Sequence, residues 1–380
     1  MLFDYETLKL IWWLLVGALL IGFALTDGFD LGIGSLLPFL GMNDEQRRVI
    51  INSIGPTWDG NQVWLVTAGG ALFAAWPMVY AAAFSGFYVA LILVLFTLIL
   101  RPVGFDFRGK LAGARWRSIW DWGLFLGGAV PALVFGVAFG NLLLGVPFHY
   151  DDDLRSYYTG SFFGLLNPFA LLTGIVSLSM LLMHGAIFLQ LRTEGVISER
   201  AVKAATLSAG VFIAAFALSG IWLAFGIDGY RIIDMPDPGS AFTPLAKTVE
   251  TIPGAWLDNY GRYPWMMVAP VLGFAGAVLA LVLSRAGRAG LAFIMSCLAI
   301  TGVILTAGLS MFPFVMPSST QPAHSLTAWD ATSSHLTLTW MFWAVVLFLP
   351  IVIAYTSWVF GVMRGKVTEA RIREETHTAY

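Results

Sequence analysis

The sequence predicts an all-α, polytopic membrane protein of about nine transmembrane helices, because charged residues are scarce and long apolar runs are many. Of its 380 residues, 58% are hydrophobic and 12% are charged, and the mean hydropathy is +0.78. A soluble domain carries roughly 25% charged residues. Since backbone polar groups that face lipid must be hydrogen-bonded within their own segment, we expect the apolar runs to be helices.

Nine apolar segments are candidates for spanning a bilayer core, which needs about 20 helical residues. The stretch 60–100 contains no charged residue. As one helix it would be roughly 60 Å long, about twice the thickness of the core. We therefore divide it at Trp76-Pro77, since proline lacks an amide donor and restrains the residue before it. The predicted spans are 11–25, 63–76, 79–100, 119–144, 162–191, 205–227, 265–283, 291–315 and 338–363.

Nine spans place the termini on opposite sides, and the basic residues predict which side is which. With the N-terminus outside, sixteen of the 21 Lys and Arg residues fall in the inside loops and the C-terminal tail. The positive-inside rule then favours a cytoplasmic C-terminus. The longest outside loop, about 228–264, is expected to be irregular because of Pro236, Pro238, Pro244 and Pro253. No separate soluble domain is evident, so residues 1–380 are predicted to form a single membrane domain.

Charge and metal-ligand content exclude several classes of function. The net charge is −2 and no basic stripe is present, which argues against nucleic-acid binding. The single Cys297 lies in an apolar run, so neither a disulfide framework nor a cysteine metal site is expected. His184 alone among the histidines lies well within a span, and we interpret it as a satisfied core histidine. No axial pair for haem iron is visible, and no metal site is predicted.

Acidic residues near the first span are the first functional candidates, because an ionisable group at a helix centre costs about 2.5–3.5 kcal/mol on insertion. Asp27 and Asp30 are three residues apart and should project from one helical face. Two carboxylates so close together can pass a proton. Alternatively, they merely end the helix among hydrated headgroups. Gly28 and Gly32, four residues apart, should let a neighbouring backbone approach.

A second candidate segment leads into the second span, in Trp58-Asp59-Gly60-Asn61-Gln62-Val63-Trp64. Asp59 is predicted to lie on the same inner side as Asp27, where it could cap the helix and still exchange protons. Trp64 lies about a turn and a half deeper, where packing is the commoner role for a tryptophan.

A third candidate segment leaves the third span, in Arg101-Pro102-Val103-Gly104-Phe105-Asp106. Arg101 at the membrane edge needs a carboxylate partner, and four acidic residues are predicted to be at that depth: Asp27, Asp30, Asp59 and Asp106. Asp106 is a further candidate, whereas most of 108–117 is interpreted as a solvated basic loop. The three segments together predict a proton entry route at the inner face.

These motifs, with Ile11-Trp12-Trp13-Leu14-Leu15-Val16-Gly17 and the stretch from Met311 to Thr320, resemble subunit II of cytochrome bd-type quinol oxidases. The resemblance runs from the first helix to the tail. It implies an electrogenic enzyme of aerobic respiration, in the bacterial inner membrane, that passes electrons from quinol to oxygen and draws protons from the cytoplasm. Haem b and haem d are then expected in the partner, subunit I.

The resemblance also implies roles for this chain. No catalytic residue is expected in it; it should stabilise subunit I and bind ubiquinone structurally. Quinol, membrane lipid and small accessory subunits are further expected partners. Asp59 and Asp106 match positions on a proton path, with Lys110 near its entrance, and Trp64 matches a position on an oxygen route. The family's polar cluster corresponds to Asp27, Asp30 and Arg101.

Two alternatives compete with this interpretation. A proton-coupled secondary transporter would explain the helices interrupted by Pro131, Pro168, Pro270 and Pro350. Against it, the carboxylates gather at one face rather than at the midplane, and no inverted repeat is evident. A purely structural membrane subunit is the second alternative. Haem absorption and quinol-dependent oxygen uptake by a complex purified through this chain would support the oxidase.

Overall fold

The computed structural model describes residues 3–374, apart from the side chains of Arg371 and Glu374, and this part of the chain is mostly helical. The thirteen helices are α1 Tyr5–Leu40, α2 Asp44–Ile54, α3 Trp58–Ala75, α4 Pro77–Gly86, α5 Tyr88–Phe107, α6 Ala114–Leu144, α7 Pro168–Arg192, α8 Gly195–Gly226, α9 Asp258–Arg262, α10 Val268–Arg285, α11 Ala289–Met311, α12 His335–Val362 and α13 Glu369–Glu374. Short 3-10 turns connect several of them.

Eight of the described helices are long and apolar enough to cross a membrane: α1, α5, α6, α7, α8, α10 with its preceding turn, α11 and α12. The remaining predicted span, 63–76, corresponds to α3, which has 18 residues. The fold class is therefore confirmed as a polytopic helical membrane architecture, whereas the number nine stays a prediction.

The charge-free stretch 60–100 is interrupted twice, not once. The predicted break at Trp76-Pro77 is present, since α3 ends at Ala75 and α4 begins at Pro77. A second break falls at Phe87, which divides the predicted span 79–100 into α4 and α5. Beside it, Gly86 lies against the ring of Tyr158, so that an added Cβ would come 2.7 Å from Cδ2 of that ring. This long-range contact is invisible in the local sequence.

Three antiparallel hairpins lie in the loops: β1 Phe148–Tyr150 with β2 Ser156–Tyr158, β3 Asp228–Asp234 with β4 Thr248–Pro253, and β5 Phe314–Met316 with β6 Leu326–Thr327. The second hairpin corrects the expectation that 228–264 is irregular. Tyr230 on β3 and Val249 on β4 are buried in one apolar cluster, which supplies the hydrophobic face that the strands need. We call this end of the bundle the hairpin end.

At the opposite end, arginines link the helices; for example, Arg200 Nη1 donates to Leu40 O (2.8 Å). We call this the Arg-rich end. Between the two ends, α1 packs against α3, α6, α7 and α11. The predicted close approach at Gly28 and Gly32 is present, because a Cβ on Gly28 would lie 2.8 Å from Leu181 Cδ2 and one on Gly32 would collide with Leu181 O. Two glycines of α1 therefore fix its contact with α7.

Candidate functional site

The centre of the candidate site is an ion pair between α1 and α5. Arg101 Nη1 donates to Asp27 Oδ2 (2.8 Å), and its Nη2 donates to Asp27 Oδ1 (2.6 Å). The two side chains are 2% and 0% exposed. The guanidinium is planar, and its Nη1 and Nη2 each bind one oxygen of the carboxylate. The pair therefore fixes the relative orientation of the two helices. The partner that the sequence required for Arg101 is thus Asp27.

Asp30, one turn further along the same face of α1, has a different environment. Asn61 Nδ2 donates to Asp30 Oδ2 (2.8 Å), and Asp30 is 1% exposed. Its other oxygen, Oδ1, has no hydrogen-bond partner among the described residues. The sequence interpretation missed Asn61; the available signal was an amide side chain two residues after Asp59 in the same segment.

Aromatic rings close this cluster towards the exposed edge of the bundle. Trp58, the first residue of α3, stacks on Phe105 of α5 with ring centroids 5.1 Å apart. The Arg101 guanidinium carbon lies 5.9 Å from the Trp58 ring centroid. A cation over an indole face is attracted by the ring electrons, so Trp58 helps to hold the guanidinium in place.

Asp59 and Asp106 lie next in sequence to these two stacked rings, so the structure brings all three predicted segments to the Arg-rich end. Both carboxylates are exposed, as is Lys110, and none of the three has a salt bridge to a described residue. They therefore border the buried pair without contacting it. Asp59 is in the first turn of α3 rather than at its cap, because Thr57 occupies the N-cap.

Trp64 is half-buried on α3 and packs against α1. A Cβ added to Gly22 would lie 2.7 Å from Trp64 Cε3, so the indole fits where the glycine leaves room. This is the packing role that the sequence favoured by default. The contact places Trp64 between α1 and α3, below the polar cluster in the direction of the hairpin end.

A second charged network was missed by the sequence interpretation. Arg108 is 3% exposed; its Nε donates to Asp121 Oδ1 (2.6 Å), and its Nη2 donates to Asp44 Oδ1 (2.9 Å). Arg47 Nη1 also donates to Asp121 Oδ2 (2.7 Å), and Arg117 Nη1 to Asp44 Oδ2 (2.6 Å). The expectation of a solvated loop across 108–117 is therefore wrong for Arg108. Asp121, an acid inside a predicted span, was the signal that could have revealed this network.

His184 is the satisfied core histidine that was expected. Its Nδ1 lies 2.7 Å from Ser296 Oγ and its Nε2 lies 3.0 Å from Leu25 O. Because a carbonyl only accepts, Nε2 carries the hydrogen in that bond. Both ring nitrogens of His184 are thus engaged, so neither is free to bind haem iron. Among residues 3–374, no three His, Cys, Asp or Glu side chains are grouped to hold a metal. His377 lies outside the described residues.

A large apolar groove of about 1010 Å³ opens between the helices on the hairpin side of the cluster. Residues of α1, α3, α4, α5, α6 and α11 line it, together with β5. A smaller apolar cavity of about 240 Å³ lies next to it and shares Leu20, Leu65 and Phe135 with the groove. Both spaces suit an apolar ligand rather than an ion.

Comparison with known proteins agrees with this architecture. The chain is 56% identical to cytochrome bd-I ubiquinol oxidase subunit 2 of Escherichia coli (strain K12), over 99% of this chain and 100% of that protein. It is 35% identical to cytochrome bd ubiquinol oxidase subunit 2 of Bacillus subtilis (strain 168), over 94% and 96% of the two chains.

A bd oxidase structure from Geobacillus thermodenitrificans shares the fold, with a TM-score of 0.70 and 18% identity over 94% of this chain and 98% of that one. The family model of the cytochrome bd terminal oxidase subunit II matches residues 8–363. These matches decide against the transporter alternative. The chain therefore belongs to the family of cytochrome bd terminal oxidase subunit II and is part of a quinol-oxidising, membrane-bound oxidoreductase complex.

Proposed function

We propose that this chain takes up protons at the Arg-rich end and passes them to subunit I, where haem b and haem d reduce oxygen to water with electrons from quinol. The observation that carries the proposal is the buried Asp27–Arg101 pair with Asp30 beside it, bordered by two exposed carboxylates. A titratable group buried in a membrane protein usually has a functional role, because its burial is unfavourable.

The proposed direction of proton uptake requires the Arg-rich end to face the cytoplasm of a bacterial inner membrane. The distribution of Lys and Arg supports this orientation, with the N-terminus outside, nine spans and the C-terminus inside. Because these protons would move from the cytoplasm into the membrane towards the haems, their uptake would carry charge across part of the bilayer and make the enzyme electrogenic.

The proposed route begins at Lys110 and Asp106, continues to Asp59 and ends near Asp30. Exposed carboxylates exchange protons with water directly. Arg101 occupies both oxygens of Asp27, whereas Asp30 keeps one oxygen without a partner among the described residues. Of the two buried carboxylates, Asp30 is therefore the one with room for a proton, and the bond from Asn61 holds it in position.

The partner subunit is proposed to cover α12. Only 6% of the apolar window of α12 is buried, compared with 28–61% for the other seven candidate spans. A helix that is apolar all round must be covered by other protein or by lipid, so α12 offers a large apolar surface on which a partner can pack. Subunit I is the partner that membership in this family implies; membrane lipid and small accessory subunits would cover the remaining apolar surface.

The groove is proposed to hold a structural ubiquinone. Its volume of about 1010 Å³ and its apolar lining suit a long isoprenoid chain, and Gln62 supplies a polar group at its wall. A quinone here would brace α1, α3 and α5 without taking part in electron transfer.

The experiment for the proton route replaces Asp59 and Asp106 by Asn, each alone, in the complex with subunit I. Asn keeps the shape and removes the titratable proton, so we expect quinol-dependent oxygen uptake and proton uptake by proteoliposomes to fall together, by at least about tenfold, since positioned proton transfer contributes roughly 10²–10⁴ in rate. Asp153→Asn is the matched control, because Asp153 is exposed (76%) at the hairpin end. Full turnover in both variants, with haem content preserved, would show the route to be wrong.

Trp64 is proposed to border an oxygen route. We expect Trp64→Phe and Trp64→Leu to change the apparent KM for oxygen, because they alter the space between α1 and α3 at Gly22. The number of protons taken up per oxygen should stay the same. The measurement is oxygen-dependent turnover at saturating quinol, and an unaltered oxygen KM in both variants would remove Trp64 from the route.

A further inference from the structure

Two segments at the hairpin end are fastened to each other, and we call them the outer latch: residues 145–150 and 316–324. Val146 N donates to Pro317 O (2.8 Å), and Ser319 N donates back to Val146 O (3.0 Å). Ser318 Oγ donates to Phe148 O. These bonds join sequence regions about 170 residues apart, so the latch exists only in the folded protein.

One bond of the latch depends on the protonation of a histidine. Tyr150 N donates to His324 Nδ1 (3.0 Å). A ring nitrogen that accepts a hydrogen bond carries no hydrogen, so His324 is neutral here and its hydrogen is on Nε2. If Nδ1 is protonated, the acceptor becomes a donor and two N–H groups face each other. The backbone amide of Tyr150 then loses its partner.

The surroundings favour the neutral, accepting form. Partial burial, the cation of Lys247 and the nearby His149 all lower the pKa of His324 from its ordinary value of 6.5. Lys247 lies between the 3-10 turn 244–246 and β4, the two elements packed against the His324 turn 322–324. Lys247 is itself paired with Asp330, which lies 2.8 Å away.

Two further carboxylates lie on the elements that pack around this histidine. Glu250 is exposed on β4. Asp151 follows β1, and its Oδ1 accepts hydrogen bonds from the backbone of Asp153 (3.0 Å) and Arg155 (2.8 Å). Asp151 is therefore satisfied within its own turn, and neither it nor Glu250 is among the groups that shift the pKa of His324, which are Lys247 and His149 besides burial.

The latch adjoins the apolar groove. Phe314, Val315 and Met316 line the hairpin end of the groove, and Met316 is also the first residue of the second latch segment. Met316 is fully buried, so the chain cannot move at the latch without disturbing the groove wall.

We propose that acidification of the medium at the hairpin end opens the outer latch through His324 and thereby loosens the outer end of the groove. This proposal rests on the function proposed above in two respects only. One is that the ligand of the groove is a quinone, and the other is that the hairpin end faces the outside. The sign follows from linkage: the neutral form is stabilised by folding, so this stabilisation is complete above pH 6.5 and is lost as the pH falls through the lowered pKa of His324.

The experiment measures amide hydrogen exchange of peptides covering residues 145–150 in the resting, purified complex between pH 7.5 and 5. After correction for the intrinsic pH dependence of exchange, we expect protection at Tyr150 to fall about fivefold, as for the loss of one ordinary hydrogen bond. His324→Asn should abolish this dependence, because an Asn Oδ1 can accept the same bond and does not titrate. His149→Asn, the control, should retain it.

Protection that stays constant with pH in the wild-type complex would overturn the proposal. So would a His324→Asn variant with the wild-type pH response. Because exchange is read without turnover, failure of the proton route through Asp59 and Asp106 would leave this result unaffected, and the two proposals can fail separately.

Discussion

The Arg-rich end and the hairpin end both bury charged side chains, but they satisfy these charges differently. At the Arg-rich end, Arg101 meets both oxygens of Asp27 at 2.6 and 2.8 Å. At the hairpin end, Lys9 is buried and forms no bond to a carboxylate among residues 3–374: its Nζ donates to Pro238 O (2.7 Å) and Ser240 O (3.0 Å). The same ammonium lies 4.0 Å from the ring centroid of Tyr5.

The difference follows from the shapes of the two cations. A guanidinium is a planar fork that matches a carboxylate, so it fixes the angle between two helices. An ammonium is a compact charge with three rotatable donors, so it can gather carbonyl oxygens from an irregular loop. The Arg-rich end is thus built to hold carboxylates in a set geometry, and the hairpin end is built to close loops over the bundle.

Lys247 is the nearest counterpart of Arg101 at the hairpin end. It pairs with Asp330 at 2.8 Å, both side chains are 0% exposed, and its Nζ also donates to Pro244 O (2.8 Å). Burial lowers the pKa of Lys247, while the Asp330 carboxylate acts in the opposite direction. The comparison is therefore between an ion pair that joins two helices, Asp27–Arg101, and one that joins two loops, Lys247–Asp330. Substitutions in each pair can test it.

The largest effect is expected for Arg101→Met. This change leaves the Asp27 carboxylate buried without its cation, which should destabilise the complex by about 3–5 kcal/mol. Thermal unfolding of the detergent-solubilised complex measures it. Arg231→Met is the control, since the Arg231–Asp258 pair is 45% and 46% exposed and should contribute about 0–1 kcal/mol. Equal melting temperatures for the two variants would contradict the structural importance of Arg101.

A smaller effect is expected for Lys247→Met at the hairpin end. Asp330 loses its cation but keeps the bond from Thr327 N to its Oδ1 (2.9 Å). We expect a loss of about 2–3 kcal/mol, below that for Arg101→Met. Addition of Asp330→Asn should restore more than half of the loss, because the uncompensated charge is gone. A double variant as unstable as the sum of the single ones would mean that the two residues do not interact.

The smallest effect concerns the backbone contact that positions the Arg-rich end. Gly32→Ala places a methyl group against Leu181 O, so α1 and α7 must separate and stability should fall by about 1–3 kcal/mol. Gly220→Ala on α8 is the matched control: nothing lies within 4 Å of its added Cβ, and helix propensity alone should stabilise it by up to about 1 kcal/mol. Melting temperatures compare the two variants; the same sign for both would argue against a close-packed seam.

Much of the candidate site could be predicted, and the remainder shows where sequence reasoning stops. The sequence placed Asp27, Asp30 and Arg101 in one cluster at one membrane face, because all three lie at the ends of apolar segments. It could not choose among Asp27, Asp30, Asp59 and Asp106 as the partner of Arg101, because that choice depends on how the helices that carry them are rotated and packed. It also treated Arg108 as solvated, because the carboxylate that pairs with this buried arginine, Asp121, lies on a different helix.

By itself the sequence determined that this chain is a helical membrane protein and to which family it belongs. Those properties follow from the composition of the chain and from local motifs, and neither depends on contacts between distant residues. Only the tertiary structure decided that Arg101 meets Asp27 across 74 residues, that the loops pair as hairpins, and that His324 accepts from Tyr150. Such contacts depend on the packing of distant segments, because a hydrogen bond requires a fit within a few tenths of an ångström that no local pattern encodes.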